Sequence, residues 1–171
     1  MGKHSPNHFR QYIEIHETII DQFKVKDFIG DETLEFITMG FSYNLIGEIA
    51  CRGNIVINVD KLIDVISGSG VNALLQTRWY AYNVFVRNRF NLFRYDNQDD
   101  YFLSLGQEHK DEHHKHLFDW ETGEELPDSP IWVGEDSWPT LGEVIKETEQ
   151  WYWSNRDQLE YPDSYPNLDL R

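Results

Sequence analysis

Between Leu34 and Asn97 the chain is a succession of β-forming runs joined by connections of only a few residues, which commits this stretch to antiparallel strands. From Leu34 to Cys51, Ile37, Met39, Phe41, Tyr43, Leu45, Ile49 and Cys51 alternate with Thr38, Gly40, Ser42, Asn44 and Glu48, and this reads as one strand with a buried and a polar face. "RGN" at 52–54 is a turn signal. "IVINVDKLIDVI" follows as a second strand, or as two short segments broken near Asp60 and Lys61. "SGSG" at 67–70 turns the chain into residues 72–86, whose β-branched and aromatic content favours a long strand. "RNR" at 87–89 then leads into a fourth strand over 90–97 that ends on Asp-Asn turn chemistry.

Two amphipathic helices flank this region. Over residues 8–23, Phe9, Tyr12, Ile13, Ile19, Ile20 and Phe23 recur at helical spacing. Toward the other end, Thr140 with Glu143 has the capping-box spacing, and Leu141, Val144, Ile145, Thr148 and Tyr152 share one face. The expected fold is therefore α+β: an antiparallel β-meander of about four strands with an N-terminal amphipathic helix and a C-terminal helix packed on the sheet. Residues 1–154 form the expected single domain, and 155–171 an acidic, Pro-containing tail that is either extended on the surface or disordered.

Residues 98–139 lack a sustained period and read as a long excursion, of the kind that tends to carry function in compact domains. Four of the seven histidines fall inside it, at His109, His113, His114 and His116. His109 and His113 would face one another on a helix, whereas His114 and His116 would do so on a strand, and the two conformations nominate different metal-ligand pairs. Glu108, Asp111, Glu112 and Asp96 are the carboxylates that could complete a zinc site.

The same residues suit acid–base chemistry. Cleavage of RNA through its own 2′-hydroxyl needs a group to take that proton and another to protonate the leaving oxygen, and imidazole titrates near neutrality. Arg94 or Lys115 could neutralise the developing charge, and Asp96 could orient a histidine. Tyr80, Tyr82 and Tyr95, with Arg78 on the same strand as the first two, could receive unpaired bases by stacking.

Composition limits the partners. The net charge is −15; residues 1–95 carry ten acidic and ten basic side chains, and 96–171 carry twenty and five, so whole-molecule attraction to nucleic acid is excluded while a local patch is not. Cys51 is the sole cysteine, which excludes an intramolecular disulfide and a multi-thiolate zinc knuckle. No signal-like segment and no membrane-length apolar run occurs, so a cytoplasmic protein with no membrane partner is expected. No Gly-rich nucleotide motif is present, and the acid–base reading needs no cofactor; zinc is the alternative that the histidines could hold.

"RWYAYNVF", "FRYDN", "HHKHLF" and "PTLGEVI", in that order over roughly residues 50–150, resemble the TumE-like toxins of prokaryotic toxin–antitoxin pairs. The matching positions are Tyr80 and Tyr82, then Arg94, Tyr95, Asp96 and Asn97, then His114, Lys115 and His116. The family's strand often has His where Asn83 stands here. The resemblance implies a ribonuclease-like toxin acting on RNA and neutralised by a cognate antitoxin protein; the acid–base reading of the residues makes Arg94, Asp96, His114, Lys115 and His116 its catalytic group. A non-catalytic metal-binding or protein-interaction module built on the His-rich segment and the acidic C-terminal part is the alternative.

Overall fold

The computed structural model describes residues 3–97 and 113–168. Along the chain these form β1 (Asn7–His8), α1 (Phe9–Val25), β2 (Ile29–Glu32), β3 (Glu35–Met39), β4 (Ser42–Cys51), β5 (Ile55–Ser67), β6 (Leu74–Val86), β7 (Asn91–Asp96), β8 (His114–Leu117), β9 (Ile131–Trp132) and α2 (Leu141–Asn155). The strands make one antiparallel sheet in the order β2-β4-β5-β6-β7-β8-β9, with β3 also paired to β4 and β1 to β6. The α+β class and the two helices are as expected, but the described residues hold nine strands rather than about four.

The difference has identifiable causes. The single strand expected over 34–51 is a hairpin, because Gly40 takes a left-handed φ of 68° and Met39 pairs directly with Ser42. Reversing across two residues switches the phase of the pattern. Ile37 and Met39 therefore share a face with Asn44 and Ser42, and Phe41, at the tip, is 91 % exposed. The break expected near Asp60 and Lys61 does not occur; β5 runs on for 13 residues with those two side chains on opposite faces. β1, β2 and β9, of two to four residues each, are too short to carry a periodic signal.

Both helices cover one face of the sheet. Val59, Tyr82, Tyr95 and Lys115 are successive cross-strand partners on that face, and it buries Ile57, Ile63, Tyr80 and Val84 beneath Ile20 and Phe23 of α1 and Val144, Ile145 and Tyr152 of α2. Burial of side chains this size contributes roughly 1.5–3 kcal/mol each, which makes this layer the main source of stability. The capping box at the start of α2 forms as its sequence indicates, with Thr140 accepting from the Glu143 amide.

The opposite face is polar. Glu48, Asn58, Asn83, Arg94 and His116 follow one another across five strands, and Ile46, Asp60, Ala81, Asp96, His114 and Trp132 make a parallel row across six.

The C-terminal segment does more than lie along the surface. Leu159 is buried, Tyr152 Oη donates to the Pro162 carbonyl at 2.8 Å, the Asn54 amide donates to Ser164 O at 2.9 Å, and Asp163 accepts from Arg52 and Arg156. No helix among the described residues is long and apolar enough to cross a membrane.

Candidate metal centre

The "HHKHLF" segment, expected as loop, contributes strand β8, and its pairing with β7 builds the site. The register places Asp96 opposite His114 and Arg94 opposite His116. Alternation then sends all four side chains to the polar face and sends Tyr95 and Lys115 to the helix face.

On the polar face, His114 Nε2 lies 2.6 Å from Asp96 Oδ1, and His116 Nε2 lies 3.8 Å from Asp96 Oδ2. One ligand atom from each of the three residues falls within 4.8 Å of the other two. Donors around a tetrahedral zinc with bonds near 2.1 Å stand about 3.4 Å apart, so adjustments of about 1 Å would place an ion among them. All three residues are buried: Asp96 and His114 are 2 % and 1 % exposed, and His116 is 6 % exposed. Trp132 on β9 packs edge-on against the His114 ring at 5.6 Å.

Asp96 and His116 are held from behind. Arg94 Nε donates to Asp96 Oδ2 at 2.7 Å. Phe118 pairs with Glu125 in an isolated β-bridge beyond β8, which returns Glu125 to a point 2.7 Å from His116 Nδ1. Ser129 Oγ donates to the same carboxylate oxygen at 2.5 Å while accepting from the Leu117 amide at 2.9 Å. Burial pulls the His116 pKa below the ordinary histidine value despite the Glu125 hydrogen bond, so the ring is neutral at neutral pH with a lone pair for a ligand. Burial would raise the Glu125 carboxyl, but the Ser129 and His116 hydrogen bonds outweigh it and hold the pKa low. Two imidazoles and one carboxylate, with the distal nitrogen of one ring on a second carboxylate, match the donor set and outer shell of a mononuclear zinc or iron(II) centre.

The expected catalytic group of five is thus divided. Arg94, Asp96, His114 and His116 converge, whereas Lys115 points to the helix face, ion-pairs with Glu147 of α2 and lies 4.9 and 5.0 Å from the Phe93 and Tyr95 ring centroids. Tyr95 is there too, its hydroxyl donating to Glu147 Oε2 at 2.8 Å. Tyr80 and Tyr82 have no exposed surface, so neither offers a ring face to a base. Arg78 is at the surface in a 2.7 Å ion pair with Asp64. His113 belongs to the helix side, with Nδ1 2.9 Å from Tyr80 Oη and its ring stacked 5.0 Å from Trp138. His109 lies outside the described residues, as do Glu108, Asp111 and Glu112.

Sequence reading did not find Glu125. It belongs to "WETGEEL", a turn in which Glu124 and Glu125 look alike, and only the bridge to Phe118 selects one of them.

Comparison of the chain with family models, with curated proteins and with solved structures returned no match in any of the three.

Proposed function

We propose that Asp96, His114 and His116 bind one divalent transition-metal ion and that the centre cleaves a phosphodiester by metal-assisted hydrolysis. The observation that carries the reading is the convergence of these three donors within 4.8 Å on two paired strands. Paired strands fix ligand directions better than a loop does, and a centre with three ligands from the described residues has the donor count of a catalytic zinc site. An ion held there supplies Lewis-acid polarisation of a phosphoryl oxygen and lowers the pKa of water.

The side chains around it divide the remaining work. Glu125 fixes the tautomer and orientation of His116. The Arg94 side chain is 38 % exposed at the edge of the cluster, where it can neutralise an anionic substrate oxygen. RNA as substrate, and a cognate antitoxin as partner, come from the resemblance to TumE-like toxins.

A second reading is supported by the neutral His116 beside Arg94: metal-free cleavage of RNA, with His116 as base and His114 as acid. RNA cleavage by the purified protein, measured with zinc or manganese and with chelator, for wild type and His116→Ala, separates the two. Cleavage that requires the ion and falls by about 100-fold or more in the folded variant is expected. Cleavage that survives chelator and is lost in His116→Ala transfers the assignment to acid–base chemistry, and activity equal in the two proteins overturns both.

A further inference from the structure

A second site lies on the helix side of the sheet, across from the polar face. Residues 3–7, α1, β6 and the approach to α2 enclose a cavity of about 520 Å³, within the range of small-ligand sites. Ile15, Ile19, Leu45 and Leu75 give it apolar walls, and Tyr12 and Trp138 contribute rings.

Lys61 of β5 lines this cavity and is 9 % exposed. Its Nζ lies 4.9 Å from the centroid of the Tyr12 ring. No carboxylate of the described residues comes within ion-pairing distance of it, whereas the other cations of the cavity are engaged: Lys3 with Glu143 at 2.9 Å, and Arg78 with Asp64 at 2.7 Å. The buried Tyr82 hydroxyl faces the same ammonium, so the groups around Lys61 are neutral phenols rather than a carboxylate.

Other polar groups on the wall do not neutralise Lys61. His16 is pushed down to about 4 by burial and by Lys61 itself, and is neutral at pH 7. His4 is lowered by burial and bonds through Nε2 to the Trp138 carbonyl at 2.7 Å, and His113 bonds to Tyr80. Glu135 and Asp136 line the cavity as solvent-exposed residues. Desolvation opposes the Lys61 ammonium, while the Tyr12 and Tyr82 phenols favour it and hold its pKa above the usual lysine value.

Lys61 is therefore charged on the cavity wall with phenols but no carboxylate around it, and an anionic headgroup entering the cavity can pair with it away from bulk water. We propose that the cavity binds a small organic monocarboxylate, its headgroup on Lys61 and its apolar body against Ile15, Ile19, Leu45 and Leu75. One ammonium matches a single negative charge; a phosphate dianion calls for several cations or a cluster of backbone amides.

Benzoate and its neutral isostere benzamide are the probes, measured by calorimetry and thermal denaturation on the whole chain, wild type and Lys61→Met. Benzoate is expected to raise the melting temperature and to bind wild type at least about tenfold more tightly than benzamide, a preference lost in Lys61→Met. The wild-type comparison stands whether or not the variant folds. Equal binding of the two probes, no benzoate binding at about 10 mM, unchanged benzoate affinity in Lys61→Met, or inorganic phosphate binding more tightly than benzoate would each overturn the proposal.

Discussion

His116 Nδ1 lies 2.7 Å from Glu125 Oε1, and the other nitrogen of the same ring faces Asp96, so one imidazole links an outer carboxylate to the buried cluster. Glu125→Gln keeps the size of the side chain and removes its charge. It is expected to weaken zinc affinity by about 10- to 100-fold while the fold persists, as measured by competition with a chelating dye. Affinity equal to wild type would leave Glu125 without a role in the centre.

Lys115 and Glu147 join β8 to α2 on the opposite face. Glu147→Gln leaves the part-buried Lys115 ammonium without its charged partner and removes an acceptor for Tyr95, so a loss of about 1–3 kcal/mol in urea denaturation is expected. Metal affinity should be unchanged. A variant that loses metal as well would show that the two faces of β8 are not independent.

His16 has a folded-state pKa of about 4 against an ordinary value of 6.5. The unfolded chain therefore binds a proton that the folded one refuses as pH falls through the 6.5-to-4 window, and stability contributed by the neutral ring is lost on acidification. The ring is only partly buried, so the contribution is about 2 kcal/mol or less. In His16→Leu the fall in melting temperature between pH 6.5 and pH 4 should be shallower than in wild type. Equal slopes would contradict the assignment.

Thr140 and Glu143 cap α2 reciprocally, through the Glu143 amide on Thr140 Oγ1 at 3.2 Å and the Thr140 amide on Glu143 Oε1 at 3.2 Å. Thr140→Ala is expected to cost about 1 kcal/mol in equilibrium unfolding, and a neutral result would show the helix start to be fixed by packing.

These helices and the central strands were legible because their signals are local. Thr140 and Glu143 sit three residues apart, and Leu141, Val144, Ile145, Thr148 and Tyr152 are all buried as their spacing indicates. The hairpin at Gly40 was not legible. Apolar residues at 37, 39, 41 and 43 keep an unbroken alternation, although the chain reverses between Met39 and Ser42. For the candidate site, the extended reading of "HKH" named His114 and His116, and "RYDN" named Arg94 and Asp96. Their meeting depends on the pairing of β7 with β8, across an intervening stretch whose length in sequence says nothing of register. The same register separates Lys115 from the group. Lys61 was hidden for a related reason: in an alternating strand an inward lysine looks like a break, and only the packing of α1 shows that it is buried.

Cobalt(II) titration followed by visible absorption reads the proposed centre directly, because intensity near 500–650 nm reports a low-coordinate nitrogen and oxygen site. Wild type is expected to saturate at about one equivalent, with the ion displaced by zinc and the spectrum absent in folded His114→Ala/His116→Ala. A featureless wild-type titration, or the same spectrum in the double variant, would contradict a metal centre at Asp96, His114 and His116.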